Sequence, residues 1–173
     1  LIERYWRILL DRAIVSTRRD ITYNALSAID IALWDLRGKR AGMPLWRLLG
    51  GHDRAVLPYA SGGLYKEGQS PREFGAEYAA WVARGFRGVK IKVGGAPLAT
   101  DVARVAALRE AVGPDTRLMV DAVSNLDVPR ALAMAKAFAP YDIAWFEQPL
   151  DTADVAGTVR VHREGGLAVA GME

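Results

Sequence analysis

Apolar residues recur along the chain in two alternating patterns, one typical of amphipathic helices and one typical of buried strands. The first long helical pattern begins near Asn24, a good N-cap, and ends near Gly38 or Gly42. Similar patterns follow, separated by short continuous apolar runs. After an amphipathic start, "LIERYWRILLDR", the predicted helices are 24–42, 70–85, 98–113, 127–141 and 152–166, with a short helical turn at 43–51, and the predicted strands are 55–63, 88–94, 117–122, 143–150 and 167–173.

This order of elements predicts an α/β fold with a parallel sheet. Five strands alternate with four helices, and the strands are apolar runs rather than alternating ones, as in sheets that helices cover. Two architectures have this pattern, a doubly wound sheet and part of a TIM-type (β/α)₈ barrel. No glycine-rich phosphate-binding loop follows a strand, which argues against a nucleotide-binding sheet.

Composition excludes several classes of function. The 173 residues are 51% hydrophobic and 25% charged, which is ordinary for a globular protein with one core. The net charge is only +3 and the arginines are dispersed, so we expect no nucleic-acid partner. The chain has no cysteine, which excludes thiolate chemistry, and no apolar stretch of membrane-spanning length. We therefore expect no membrane partner and a cytoplasmic location.

Three carboxylates stand at the ends of predicted strands, at equal spacing along the chain. Asp121, Glu147 and Glu173 each close an apolar run, and both intervals are 26 residues. This is about the length of one strand–helix repeat, so the three should meet at the carboxyl ends of neighbouring strands, where barrel enzymes hold their active sites. Clustered carboxylates repel unless a cation neutralises them, and oxygen ligands suit Mg²⁺. The alternative is that each acid caps a helix or bonds to backbone.

Two lysines lie on the strand before Asp121, in "GVKIKVGG". Lys90 and Lys92 are separated only by Ile91, so on a strand both point to the same face. Inside a barrel they would lie beside the carboxylates, whose negative charge offsets their repulsion. Burial, the neighbouring ammonium and a metal ion would lower the pKa of a lysine toward that of a general base. The alternative is an exposed sheet edge with solubilising lysines.

Taken together, the motifs resemble the mandelate racemase and muconate-lactonizing branch of the enolase superfamily. The resemblance extends over nearly the whole chain. The matching pieces, in the order that is typical of the branch, are "NALSAIDIALWDLRGKRAGMPLWRLLGG", the K-x-K of "VKIKVGG", "LMVDA", "WFEQPL" and "AGME".

The resemblance implies residue roles and a reaction. Asp121, Glu147 and Glu173 would bind Mg²⁺, and Lys92 would abstract the proton α to a carboxylate, giving an enediolate. Lys90, about 6.6 Å deeper along the strand, would hold the carboxylate or tune Lys92. An acid-sugar dehydratase is the leading expectation, and the resemblance implies a small carboxylate substrate of the sugar-acid class. A racemase, epimerase or cycloisomerase is the alternative, and a catalytically inert fragment that keeps the metal site is a third possibility from another class.

The resemblance also divides the chain. Residues 1–50 would be the end of a helical capping domain, and residues 51–173 the first part of the barrel, about five strands. We therefore expect a fragment of a longer protein. Apolar side chains in 1–50, among them Trp6, Ile8 and Trp46, suggest packing on a missing domain or a homo-oligomer.

Two features depart from the expected pattern. Many relatives have Asn two residues after the first metal ligand, where this chain has Val123, so Ser124 or Asn125 would have to replace it. A His-Asp pair on later strands is common in such enzymes, but His52 and His162 lie in a loop and on a predicted helix. We interpret both histidines as surface residues.

Overall fold

The computed structural model describes residues 1–13, 19–52 and 55–171. Two compact units divide the chain, Leu1–Ala55 and Val56–Glu173. No helix among the described residues is both long and apolar enough to cross a membrane. Each unit has its own set of elements.

The first unit is helical. Its elements are α1 (Ile2–Ala13), α2 (Arg19–Ala41) and α3 (Leu45–Leu48). Helix α1 packs on α2, and Leu26, in the first half of α2, is buried. Pro44 precedes α3 in extended conformation, so the predicted short helical turn begins directly after a residue that cannot continue a preceding helix. Many large apolar side chains of this unit are exposed, Ile31 to 65% and Leu36 to 58%.

The second unit is built on one parallel sheet. Its strands are β1 (Ala60–Gly62), β2 (Gly88–Lys92), β3 (Arg117–Asp121), β4 (Ile143–Glu147) and β5 (Val169–Ala170). They pair in the order β1-β2-β3-β4-β5, and every pair is parallel. A doubly wound sheet reverses its strand order at a switch point, whereas a barrel adds each strand beside the previous one. The fold is therefore α/β, with the first part of a TIM-type barrel, as the sequence predicted.

A helix follows each of the first four strands. These helices are α4 (Pro71–Ala83), α5 (Leu98–Val112), α6 (Val128–Phe138, continued by a 3₁₀ turn at Ala139–Tyr141) and α7 (Val155–Gly165). The predicted start of α4 is confirmed, because Ser70 and Glu73 form a reciprocal capping box. Asp127 accepts from the backbone N–H of Arg130 and begins α6. Helix α7 starts later than predicted, since Asp154 is its N-cap.

The sheet has two chemically different faces. Among the described residues, the side facing the helices is apolar, and it includes Val89, Ile91, Leu118, Val120 and Phe146, each of which is fully buried in the hydrophobic core. The alternate positions of β2 and β3 point the other way, into the concave face, and they include both lysines. The site residues therefore lie on the face of the sheet opposite the helices that follow its strands.

Strand β4 contains a bulge that determines which of its residues reach the concave face. Leu118 pairs with Ile143, but the next residue of β3, Met119, pairs with Trp145, so Ala144 has no partner of its own. Ile143 and Phe146 both belong to the core under the helices, although strict alternation would place them on opposite faces. Because of the bulge, Trp145 and Glu147 share the concave face with Met119 and Asp121.

Candidate active site at the carboxyl ends of the strands

Three of the five predicted site residues form one row across the sheet. Lys92 pairs with Asp121, and Asp121 pairs with Glu147. Each is the last residue of its strand, so the row lies at the carboxyl edge of β2, β3 and β4. Lys90 lies one inward position deeper, beside Met119. The structure therefore brings together four of the five residues that the sequence singled out, at the edge where barrels carry their active sites.

The four side chains are joined by ion pairs. The Lys90 ammonium donates to Glu147 Oε1 at 2.6 Å and lies 3.7 Å from Asp121 Oδ2. The Lys92 ammonium donates to the same Asp121 oxygen. Glu147 therefore points toward Asp121 rather than toward the helices.

Burial makes these charges interdependent. Asp121 is fully buried, and Lys90 and Glu147 are exposed by only 7% and 9%. An unpaired charge at such a position costs several kcal/mol, so each group depends on its partners. Burial is the largest effect on Lys90 and lowers its pKa, but the hydrogen bond and charge of Glu147, together with Asp121, raise the pKa above its usual value overall. The protein groups alone do not produce the lowered pKa at Lys90 that the sequence suggested.

The carboxylates provide a donor set that suits a hard cation. Because the single Nζ atom of Lys90 lies near an oxygen of both Asp121 and Glu147, the two carboxylates converge on one region. Their oxygens are the ligand type that Mg²⁺ and Ca²⁺ prefer. Within the described ranges no group of three His, Cys, Asp or Glu side chains completes a metal site. The third predicted ligand, Glu173, lies outside the described residues.

The equal spacing of the carboxylates can be compared with strand register at β4 and, as far as Ala170, at β5. The first 26-residue interval does connect paired residues, Asp121 and Glu147. On β5, the residue that pairs with Glu147 is Ala170. The expectation that all three carboxylates occupy one row is therefore supported for the first interval. The second interval ends at Glu173, which lies outside the described residues, so its place in the row stays a prediction.

Two groups that sequence reasoning missed hold the carboxylates. The indole N–H of Trp145 donates to Glu147 Oε2 at 3.0 Å, and the backbone N–H of Val123 donates to Asp121 Oδ1 at 2.9 Å. Trp145 stands two residues before Glu147, hence on the same face of β4. That spacing was available in the sequence, but an aromatic residue in a strand is more often a packing residue. The turn at Val123 carried no signal, because valine disfavours its backbone conformation.

A buried polar network behind Lys92 was also missed. Arg104 on α5 donates to the Lys92 carbonyl at 2.9 Å and to the Gly63 carbonyl at 2.6 Å. Asp101, fully buried, accepts from the Tyr65 hydroxyl at 2.6 Å and from the Gly94 N–H at 2.8 Å. Desolvation and the bond to Asp101 raise the pKa of Tyr65 to about 12. The available signal was that Asp101 and Arg104 share the apolar face of the predicted helix.

The remaining candidates from the sequence do not join the site. His52 and His162 are exposed, as expected for surface histidines. Ser124 and Asn125 are the candidate replacements for the missing Asn. The backbone N–H of Ser124 donates to the Gln148 carbonyl, and that of Asn125 donates to the Ala122 carbonyl. The Ser124 contact joins the loops after β3 and β4 into one rim beside Asp121 and Glu147.

The chain belongs to the enolase superfamily, in the mandelate racemase and muconate-lactonizing branch. Residues 73–173 match the family model for the enolase C-terminal domain-like fold. Residues 1–50 match the model for the mandelate racemase / muconate lactonizing enzyme N-terminal domain. The order of these matches is the order expected from the sequence motifs.

Individual relatives share much of the sequence. The chain is 42% identical to a 3,6-anhydro-alpha-L-galactonate cycloisomerase of Streptomyces coelicolor, over 99% of the chain and 47% of that protein. It is 35% identical to an arabinonate dehydratase of Saccharolobus solfataricus, over 100% of the chain and 46% of that protein. A racemase crystal structure from Streptomyces coelicolor with bound magnesium superposes with a TM-score of 0.89 at 42% identity, over 98% of the chain and 50% of that structure. The chain spans about half the length of these relatives.

Proposed function

We propose that the protein carrying this chain is a Mg²⁺-dependent acid-sugar dehydratase. The observation that carries the proposal is the convergence of Lys90, Lys92, Asp121 and Glu147 on the concave face at the carboxyl edge of the sheet. A pair of carboxylates beside a pair of amines provides a cation site and a base within one small region. Ion pairs that only stabilise the fold do not require four charges together on the face of the sheet opposite its helices.

Asp121 and Glu147 would hold the metal ion, with Glu173 as the proposed third ligand. Their oxygens fit Mg²⁺, and they point to a common region. When bound, Mg²⁺ acts as a Lewis acid that stabilises negative charge developing on the substrate carboxylate. A divalent ion would also compete with the ammonium groups for the carboxylate oxygens. Lys90 would then lose part of the interaction with Glu147 and Asp121 that raises its pKa.

Lys92 is the proposed base. Its side chain is 28% exposed, against 9% for Lys90, and it ends β2 at the open edge of the site. In the neutral form, its Nζ would take the proton from the carbon α to the carboxylate. Loss of the β-hydroxyl as water, with a proton from an acid, would complete the dehydration. Lys90, set one inward position deeper, would bind a substrate oxygen or influence Lys92 electrostatically.

The substrate class follows from the proposed chemistry and from the relatives. A reaction of this kind needs an acidic carbon beside a carboxylate and a leaving group on the next carbon, which aldonic and aldaric acids provide. The arabinonate dehydratase that this chain resembles acts on such a sugar acid, by its name. We propose a small sugar acid as the substrate.

Exchange of the substrate α-proton tests the role of Lys92. The full-length protein would be incubated in D₂O with Mg²⁺ and a panel of sugar acids, and deuterium uptake followed by NMR. Lys92→Ala should abolish exchange on the face that Lys92 serves, while Mg²⁺ affinity is retained. The control is Lys136→Ala, which removes an exposed lysine of α6 and should change nothing. If Lys92→Ala exchanges at the wild-type rate, the base is another residue.

A cycloisomerase is the second candidate, because the chain is more similar to the Streptomyces coelicolor cycloisomerase than to the arabinonate dehydratase. Both reactions begin with removal of the α-proton, so the exchange experiment does not separate them. Product mass does: dehydration removes one water from the substrate, whereas cycloisomerisation leaves its mass unchanged. A protein that binds Mg²⁺ but exchanges no α-proton would support the catalytically inert alternative.

We also propose that the protein forms a homo-oligomer. Several large side chains of the helical unit are exposed, such as Ile8 to 45%, Ile31 to 65% and Trp46 to 43%. Exposed apolar surface of this extent is typical of surfaces that a partner covers. Light scattering should give a mass that is a multiple of the full-length chain, and a monomer at micromolar concentration would contradict the proposal.

A further inference from the structure

Glu147 is held by two different groups, one on each carboxylate oxygen. Lys90 donates to Oε1 at 2.6 Å, and the Trp145 indole N–H donates to Oε2 at 3.0 Å. The ammonium is a mobile group at the end of a long chain, whereas the indole N–H belongs to a rigid bicyclic ring. A cation can replace the first donor, but it cannot replace the second without turning the Glu147 carboxylate.

The indole is itself fixed in place. Trp145 follows the bulge at Ala144, pairs with Met119 and is half-buried on the concave face. Its ring meets the ring of Tyr59 edge-to-face, with centroids 5.8 Å apart. Tyr59 in turn lies under the Lys90 ammonium, at 5.6 Å from ring centroid to Nζ. Packing therefore constrains the direction of the Trp145 N–H in addition to its bond to Glu147.

We infer that Trp145 is a positioning residue that restricts Glu147 to binding a cation through Oε1 alone, and so favours Mg²⁺ over Ca²⁺. The inference rests on the proposed role of Glu147 as a metal ligand. Ligating carboxylates are commonly held by a further hydrogen bond, and loss of that bond typically weakens metal binding by about 10- to 100-fold. Here the bond occupies Oε2, the oxygen that two-oxygen coordination would need.

Selectivity follows from the different demands of the two ions. Mg²⁺ requires a nearly ideal octahedron and takes carboxylates through single oxygens, whereas Ca²⁺ accepts both oxygens of one carboxylate and a variable geometry. Without the indole N–H, Glu147 can turn and offer both oxygens. Loss of the bond should therefore weaken Mg²⁺ binding and leave Ca²⁺ binding equal or stronger.

The test is calorimetric titration of the full-length protein with MgCl₂ and with CaCl₂. Trp145→Phe keeps an aromatic ring and removes the N–H donor, so we expect about 10- to 100-fold weaker Mg²⁺ binding and no loss of Ca²⁺ affinity. Replacing Trp145 with benzothienylalanine exchanges the N–H for sulfur in a ring of nearly the same shape. It should give the same shift in the ratio of Mg²⁺ to Ca²⁺ affinity, without the packing change that the smaller phenyl ring can cause. Trp81→Phe is the matched control, because Trp81 lies on α4 against Phe86 and Arg84, and it should leave both affinities unchanged.

Each other outcome overturns the inference. Unchanged Mg²⁺ affinity in the benzothienylalanine protein means that the N–H bond does not position Glu147. An equal loss of both ions means that Trp145 supports the fold rather than the selectivity. Glu147→Gln separates this from failure of the proposed function: if it weakens Mg²⁺ binding while the Trp145 replacements do not, only the role of Trp145 is wrong. If Glu147→Gln has no effect, Glu147 is not a ligand and both proposals fall.

Discussion

Val123 occupies a backbone conformation that its side chain disfavours. Its φ is 50°, in the left-handed region that β-branched residues avoid. The turn is nevertheless maintained, because the Val123 N–H bonds to Asp121 Oδ1 and the next residue, Ser124, also left-handed, bonds to the Gln148 carbonyl. A residue strained in this way costs about 1–3 kcal/mol, and such strain concentrates at functional sites. Here the same turn holds the carboxylate of a proposed metal ligand.

Replacing Val123 with asparagine should relieve this strain. Asparagine tolerates the left-handed region, and the resemblance to the family predicts Asn at this position. We expect Val123→Asn to raise the free energy of unfolding by about 1 kcal/mol, measured by urea denaturation of the full-length protein. Val56→Asn, at a valine that is 83% exposed and does not have positive φ, should change it little. Equal effects of both substitutions would show that polarity rather than backbone strain is responsible.

Arg104 connects three elements behind the site. Its guanidinium donates to the carbonyls of Gly63, after β1, and of Lys92, at the end of β2, while it lies 4.1 Å from the Tyr65 ring centroid and 4.3 Å from that of Phe74. Only an arginine can bridge two carbonyls in this way while stacking on aromatic rings. Because Lys92 is the last residue of β2, this contact holds the backbone from which the proposed base extends.

Loss of Arg104 should therefore affect both stability and the position of Lys92. Arg104→Met removes a buried cation and leaves Asp101 with less compensation, so we expect destabilisation by about 3 kcal/mol in urea denaturation. Arg104→Lys keeps the charge but not the forked guanidinium that bridges the two carbonyls. We expect it to slow α-proton exchange with little change in Mg²⁺ affinity. Arg72→Met, at an exposed arginine of α4, is the control. Wild-type exchange in a folded Arg104→Lys protein would contradict the positioning role.

At the scale of the whole molecule, metal binding should be coupled to folding. The proposed ligands lie on different strands, Asp121 on β3 and Glu147 on β4, so the unfolded chain does not hold them together. A ligand that binds only the folded state stabilises it by mass action, and at a concentration about 100-fold above its Kd this amounts to about 2.7 kcal/mol. Mg²⁺ would thus stabilise the folded sheet in addition to its proposed role in catalysis.

Thermal unfolding of the full-length protein in EDTA and in excess Mg²⁺ measures this coupling. We expect a higher Tm with Mg²⁺, and Asp121→Asn should abolish the increase because it removes a charged ligand. Asp127→Asn is the matched control. Aspartate and asparagine are both good N-caps, and the Asp127 side chain bonds to the Arg130 N–H at the start of α6. An undiminished Mg²⁺ effect in the Asp121→Asn protein would place the metal elsewhere.

Much of this architecture could be predicted from local sequence. The capping box at Ser70 and Glu73, the cap at Asp127 and the apolar runs at β2 and β3 are short-range features whose physical cause lies within a few residues. The alternation of Lys90, Ile91 and Lys92 likewise follows from strand geometry. Strand ends were less predictable, since β1 and β5 are shorter than expected and depend on pairing with β2 and β4.

The sequence by itself determined the fold class, the position of a carboxylate at the end of β3 and of β4, and the shared face of the two lysines. Tertiary structure decided whether Glu147 could join them. Counted from Ile143, which packs under the helices, strict alternation would turn Glu147 toward the helices as well, away from Asp121. The bulge at Ala144 inserts one unpaired residue and reverses that alternation, so that Glu147 meets Lys90 and Asp121. A bulge arises from pairing between strands that are distant in sequence, and no local pattern in "IAWFE" encodes it.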